Sequence, residues 1–380
     1  MDKKNIVKKT IQVGLVTLAS RFLGLTREIL FGRYIGVGMV ADAFNTAFMI
    51  PNSLRKVFAE GALTSALVPT YVTMMKKETK EQANGLMSLF FVVFESLLLV
   101  CCVFVMWKAY ATVALIMPGF SHEQIEITVP LLRILMPFIF FISVSALLSG
   151  PLQSMHHFFI PSMSPVVLNI AFLIALICFK WFHYSVDFIC YVVLLSGAFQ
   201  CLMHVIMYIR LDLGFSVPDA VSFRYFYQAL GKFLMGFFSA SVMEIGLFLD
   251  QAFASYLPVG SVTIMKYASR FMGIPLGVFG VAFSTILLPS FTKTKLEDPD
   301  KLHFYIFEAL KLILWVTIPA TLFLVFFSQD IFITFFTGGD SKFPVARVAE
   351  ASQILICFLV GLCFFSLNKI FFSVFLQCMI

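Results

Sequence analysis

Eight charged side chains fall within residues 21–60, and seven of them, Arg21, Arg27, Arg55 and Lys56 against Glu28, Asp42 and Glu60, lie within expected spans away from the span-end Arg33. The surrounding sequence is apolar enough to cross a bilayer, where each charge at mid-depth costs about 3 kcal/mol or more. Facing lipid, such a set would be prohibitive, so most of it must line a wet cavity or pair internally. Arg21 and Glu28 are seven residues apart and share a helix face, and Arg27 lies well round the helix from Arg21. Glu60 follows Lys56 by four residues, a spacing that permits a local ion pair. Positive charge is left over. Guanidinium groups grip phosphate oxygens bidentately and keep their proton, so an arginine surplus inside a membrane suits a phosphate or pyrophosphate headgroup. The rival reading is that these residues are structural ion pairs, or anchors that snorkel to the membrane surface.

The elements that hold these residues are set by composition. Of 380 residues, 60% are apolar and 13% charged, with 47 Phe and a mean hydropathy of +0.95. A soluble domain carries roughly 25% charged residues. Lipid is therefore the solvent for most of the chain. Lipid offers backbone groups no partner, so only helices or closed barrels cross it. The apolar runs do not alternate with polar residues and are far longer than barrel strands, which excludes a barrel. Ten spans are expected, near 11–36, 40–72, 85–110, 127–152, 161–182, 187–209, 231–257, 261–291, 304–328 and 346–372. The second contains Pro51 and Gly61, and the eighth Pro275, Gly277 and Gly280, so both are expected to be kinked or broken. No cleavable leader is read at the N-terminus, because Arg21, Arg27, Glu28 and Arg33 interrupt the first apolar run.

Lys and Arg set orientation. With the N-terminus cytoplasmic, thirteen of the 27 basic residues fall in cytoplasmic segments, including Lys76, Lys77, Lys80, Arg210 and Arg224; five lie on the opposite side. An internal repeat is also legible. Thr64–Tyr71 (TSALVPTY) matches Ser284–Phe291 (STILLPSF) at an offset of 220, and Ile134-Leu135, Phe138 and Leu147 match Ile354-Leu355, Phe358 and Leu367 at the same offset. An even number of intervening spans gives both copies one orientation, the parallel-repeat architecture of transporters. The expected division is an N-terminal lobe over 1–212, a cytoplasmic linker over 213–230 and a partial second lobe over 231–380. Projecting the repeat beyond Ile380 leaves that second lobe without its last two helices, so a C-terminally truncated chain is expected.

Other features read more simply. The eight cysteines sit in apolar runs without a C-x-x-C pair and are expected to be small apolar fillers. His156-His157 has no third ligand nearby and reads as interfacial. Glu95 and Glu244 lie within spans and are candidates for a functional role. No nucleophile motif, phosphate-binding loop or dinucleotide fingerprint is found, so an enzyme is the weakest class, and no nucleic-acid partner is expected.

The run Ser20–Glu28 (SRFLGLTRE), then Gly36–Phe44 (GVGMVADAF), Pro51–Ala62 (PNSLRKVFAEGA) and Val68-Pro69 resembles the N-terminal signature of the MurJ (MviN) lipid II flippases, a family of the multidrug/oligosaccharidyl-lipid/polysaccharide exporter superfamily. Ala254–Leu257, Gly260–Val262, Tyr267–Arg270 and Ile286–Pro289 extend the likeness at low density over the whole chain. The resemblance implies an all-α, multi-pass inner-membrane protein with two pseudo-symmetric six-helix lobes, the second incomplete here. It implies transport of an undecaprenyl-pyrophosphate-linked peptidoglycan precursor from the cytoplasmic to the outer leaflet by alternating access, with membrane lipids as the other partner. It implies that Arg21, Arg27, Arg55 and Arg270, with Ser20 and Asn52, bind substrate, and that Asp42, Glu60, Lys56 and Glu28 gate or pair. Asp250 resembles a carboxylate that some members use for a sodium ion; no other cofactor is implied. Gly273 stands where many relatives carry an acidic residue, and Phe371-Phe372-Ser373 replaces an expected tyrosine-alanine element. Two alternatives stand beside this one: a related exporter of another lipid-linked glycan or of drugs, and a truncated remnant that folds but transports nothing. The arginine surplus argues against a drug exporter, which needs an acidic or aromatic cavity.

Overall fold

The computed structural model describes residues 3–275 and 299–379, and among them every regular element is a helix. The chain begins with α1 (Lys3–Tyr34) and α2 (Met39–Leu54). A π-helical segment (Arg55–Gly61) then runs without a break into α3 (Ala62–Lys77). Next come α4 (Lys80–Trp107), α5 (Ala109–Ile116), α6 (His122–Leu135), α7 (Phe138–Ser154), α8 (Phe159–Phe182), α9 (Val186–Arg210) and α10 (Ala220–Ala254). After α11 (Ser261–Pro275) follow α12 (Pro299–Phe326), α13 (Ser328–Phe336) and α14 (Val348–Met379).

Seven helical stretches among the described residues are long and apolar enough to cross a membrane: α4, α6 with α7, α8, α9, α10, most of α12, and 345–368. Each coincides with an expected span. The other three expected spans are the first and second, which carry the charge cluster, and the eighth, which extends past the described residues. The full count of ten therefore remains an expectation. The second copy of the repeat, at 284–291, also lies outside the described residues.

The surface fits a lipid solvent. Leu115, Trp181, Phe253, Trp315 and Phe326 are each more than 70% exposed. Apolar exposure on this scale is uncommon in water and marks a membrane or partner surface.

Packing divides the chain into two units, one of 1–34 with 38–259 and one of 35–37 with 260–380. In the first unit α1 packs on α8, α2 on α6, α3 on both α7 and α10, and α9 on α7 and α8. Its core joins α3, α4, α7, α9 and α10 through Leu67, Tyr71, Phe90, Leu147, Tyr208 and Phe226. Phe94 meets Phe233 edge to face at 4.6 Å between ring centroids, and Phe90 meets Phe226 at 5.1 Å. These pairs put α10 with the N-terminal helices, although the repeat assigns most of it to the second copy. A repeat boundary records sequence register, while a packing boundary records which apolar faces bury each other, so the two differ. The expected 213–230 linker likewise contains helix from Ala220 onward, begun by an Asp219 cap.

The loops form two hydrogen-bonded sets within this unit. Gln82 Nε2 donates to Asp219 Oδ2 at 2.7 Å, Ser222 Oγ to the Gln82 carbonyl at 2.8 Å, and Ser88 Oγ to the Ser216 carbonyl at 2.8 Å. The Ser222 backbone amide and the Gln82 amide together hold the Asp219 carboxyl below the usual carboxylate range. The other set joins the Gly119 amide to Ser255 Oγ at 2.9 Å. A Cβ on Gly119 would lie 2.5 Å from the Ser255 and Tyr256 backbone, so glycine alone permits this approach. The start of α4 and the 211–219 loop thus share one end of the unit, and 117–121 shares an end with 255–257.

In the second unit α14 packs on α11, α12 and α13. Tyr267 and Phe271 of α11 pack against Phe332 and Phe336 of α13. Arg347 Nη2 donates to Glu350 Oε1 at 3.0 Å and to Ser261 Oγ at 3.3 Å, tying the start of α14 to the start of α11.

Candidate functional site

The charged residues of the first unit are held by three local constructions. On α1, Arg27 Nη2 donates to Glu28 Oε1 at 2.6 Å, with both side chains largely buried. The guanidinium also sits 5.0 Å from the Phe172 ring centroid of α8 and 6.0 Å from that of Phe48 of α2. An aromatic face attracts a cation, and more strongly once water is excluded. Phe31, Phe44, Phe48 and Phe172 pack around one another beside this pair. Glu28 thus bonds its immediate neighbour Arg27, whereas helical periodicity had aligned it with Arg21. A backbone face fixes where Cβ points, and long side chains reach beyond it.

Ser20 lies two turns earlier on α1. Asn169 of α8 donates from Nδ2 to the Ser20 carbonyl at 3.0 Å and touches its hydroxyl at 3.5 Å. Arg21 beside it is exposed. Asp42, 1% exposed, lies in the first turn of α2, where the positive end of the helix favours a carboxylate.

The third construction is the π-helical segment. Pro51 removes one backbone donor from α2, and within a few residues the helix widens to π geometry over Arg55–Gly61. Short π segments commonly mark functional positions. The expected break in the second span is therefore a local widening of a continuous helix. Arg55 Nε donates to Asn52 Oδ1 at 3.2 Å, which brings together two of the residues singled out by sequence.

Lys56 Nζ lies 3.0 Å from Glu244 Oε1, on α10 and 188 residues away. The widened turn and the packing of α10 on this segment bring the two together. The expected local pair of Lys56 with Glu60 falls on a side chain outside the described residues. Glu244 is 8% exposed and its second oxygen, Oε2, is buried without a hydrogen-bond partner. It lines a cavity of about 210 Å³ between the π segment and α10, with Ser53, Phe58, Phe237, Ser241 and Phe248 among its walls.

Arg270 is exposed on α11 in the second unit, and Asp250 is exposed on α10 in the first. No cluster of three metal-ligating side chains occurs among the described residues, and the sodium assignment of Asp250 rests on resemblance. Sequence reading did not find the roles of Asn169, Phe172 or Glu244 as partners, since each contact joins helices remote in sequence. The buried carboxylate of Glu244 inside an apolar run was the available signal. Glu95 gave the same signal and accepts from Ser143 Oγ at 2.6 Å between α4 and α7.

Seven apolar helical stretches with charge clustered in the first helices define a multi-pass membrane protein. Among solved structures, an inward-facing multidrug-resistance MATE family transporter of the MOP superfamily superimposes with a TM-score of 0.74 at 14% identity, covering 96% of this chain and 86% of its own, which establishes the shared fold. The structure of a lipid II flippase MurJ in an inward closed conformation gives a TM-score of 0.82 at 29% identity, over 97% of this chain and 76% of that one. The family model for the lipid II flippase MurJ matches residues 31–376, and the chain belongs to that family. The lipid II flippase MurJ of Burkholderia cenocepacia is 30% identical over 96% of this chain and 72% of its own length. A probable lipid II flippase MurJ of Rhizobium tropici is 31% identical over 96% and 69%. The chain spans about 70% of the length of these two relatives.

Proposed function

We propose that the protein is a lipid II flippase. It carries the undecaprenyl-pyrophosphate-linked peptidoglycan precursor from the cytoplasmic to the outer leaflet of the bacterial inner membrane, with its N-terminus in the cytoplasm. The observation that carries this reading is membership of the MurJ family over nearly the whole chain. The charge chemistry supports it independently. Arg21, Arg55 and Arg270 supply guanidinium groups for pyrophosphate oxygens, Arg27 is held ready by Glu28 and Phe172, and Asn52 orients Arg55. The protein is a transporter, so the work of these groups is binding: an anionic headgroup offsets the mutual repulsion of the cations, which favours the change of conformation that alternating access requires. Asp42 and Glu60 are the acidic partners of this cation set, and a sodium ion at Asp250 would bias the return step.

The reading is tested in cells whose own MurJ is depleted and whose growth depends on this gene. Arg21→Ala and Arg270→Ala are expected to abolish growth while reaching parental levels in the membrane. Normal growth of either variant at normal expression overturns the assigned role of these arginines.

A further inference from the structure

The Lys56–Glu244 ion pair joins the π-helical segment to α10 inside the first unit. Its two halves differ in surroundings. The Lys56 side chain is 37% exposed, whereas that of Glu244 is 10% exposed, with Oε2 buried and unpartnered. The lysine can therefore be reached by a competing anion while the glutamate cannot leave its apolar wall. Serine hydroxyls, aliphatic chains and phenyl rings make up the rest of that wall, so among the described residues Lys56 is the charged group facing Glu244. Its neighbour Arg55 is bonded to Asn52, and Glu95, on the packed helix α4, is bonded to Ser143. An ammonium is a compact point charge on a flexible stem and exchanges partners easily, unlike a bidentate guanidinium.

We propose that Glu244 is a positioning residue that latches Lys56 to α10, and that the pyrophosphate of the arriving lipid competes with Glu244 for the lysine. The proposal rests on the reading of this protein as a carrier of pyrophosphate-linked lipid. Exchange of partners releases the π segment from α10 and turns headgroup arrival into freedom of a helix that carries Arg55. Coupling is reciprocal: if the lipid breaks the pair, the pair opposes the lipid by the same factor.

The test measures binding of undecaprenyl pyrophosphate to the purified chain in nanodiscs, with undecaprenol as the phosphate-free control. Glu244→Gln is nearly isosteric and removes the competing charge, so it is expected to tighten binding about tenfold. Glu244→Asp, with a shorter and weaker hold, tightens it by a smaller factor. Lys56→Gln weakens binding, and in that background Glu244→Gln has no further effect. Damage to the fold does not tighten a complex, so the direction of change separates a latch from a strut. A parent protein that binds undecaprenyl pyrophosphate no better than undecaprenol overturns the functional reading and the latch together. A parent that discriminates between them, with Glu244→Gln unchanged or weaker, or with additive effects in the double variant, overturns the latch alone.

Discussion

Arg27 and Glu28 illustrate how a charge pair survives inside an apolar helix. Neither is tolerable alone, because an unpaired buried charge retains its full desolvation cost. Together they share a 2.6 Å bond, and two phenyl rings replace part of the water that the guanidinium has lost. Arg27→Ala is therefore expected to destabilise the first unit by about 2–3 kcal/mol, by removing a charged bond to a buried carboxylate. Thermal unfolding in detergent reads this directly. Arg27→Met combined with Glu28→Gln is expected to recover most of that stability without recovering transport. Recovery of both would mean that the pair serves packing alone.

At the scale of elements, the protein depends on close approaches that small residues permit. Gly119 brings the α5–α6 connection onto the end of α10, and its amide is satisfied by Ser255. Gly119→Ala forces the two backbones apart, an overpacking that costs about 1–3 kcal/mol. A lowered unfolding temperature is expected for it, and a smaller drop for Ser255→Ala, which loses only the hydrogen bond. Equal behaviour of Gly119→Ala and the parent would show that the connection yields freely. The π segment is the other device at this scale. It redirects the turn carrying Arg55 and Lys56, so that the lysine reaches Glu244 of α10.

For the whole molecule, the hydrogen-bonded loop sets make topology testable. The start of α4 and the 211–219 loop lie at one end of the first unit, with 117–121 and 255–257 joined elsewhere. In a background free of native cysteines, Lys80→Cys is expected to react with membrane-impermeant maleimide only after the cytoplasmic face is opened. Glu123→Cys should react in intact spheroplasts. The reverse pattern would invert the assigned orientation, and labelling of both in intact cells would break the topology. The same scale shows why repeat and packing divide the chain differently: α10 continues the second copy in sequence, yet Phe226 and Phe233 bury against Phe90 and Phe94 of the first unit.

The amino-acid sequence by itself determined the solvent, the helical class and the family. These follow from quantities local in the chain: apolar run length, Lys and Arg bias, and contiguous motifs such as 20–28 and 51–62. It also named Arg55 and Asn52, three residues apart, which do bond. Partner choice across helices was decided only by tertiary structure. Helical periodicity put Glu28 on the face of Arg21 and could point Lys56 to no residue of α10; the bonds of Glu28 to Arg27 and of Lys56 to Glu244 came from the folded structure. The reason is physical. Periodicity constrains where a Cβ points within one helix, whereas a charge buried in an apolar medium takes whichever opposite charge the folded neighbours bring within 3.0 Å.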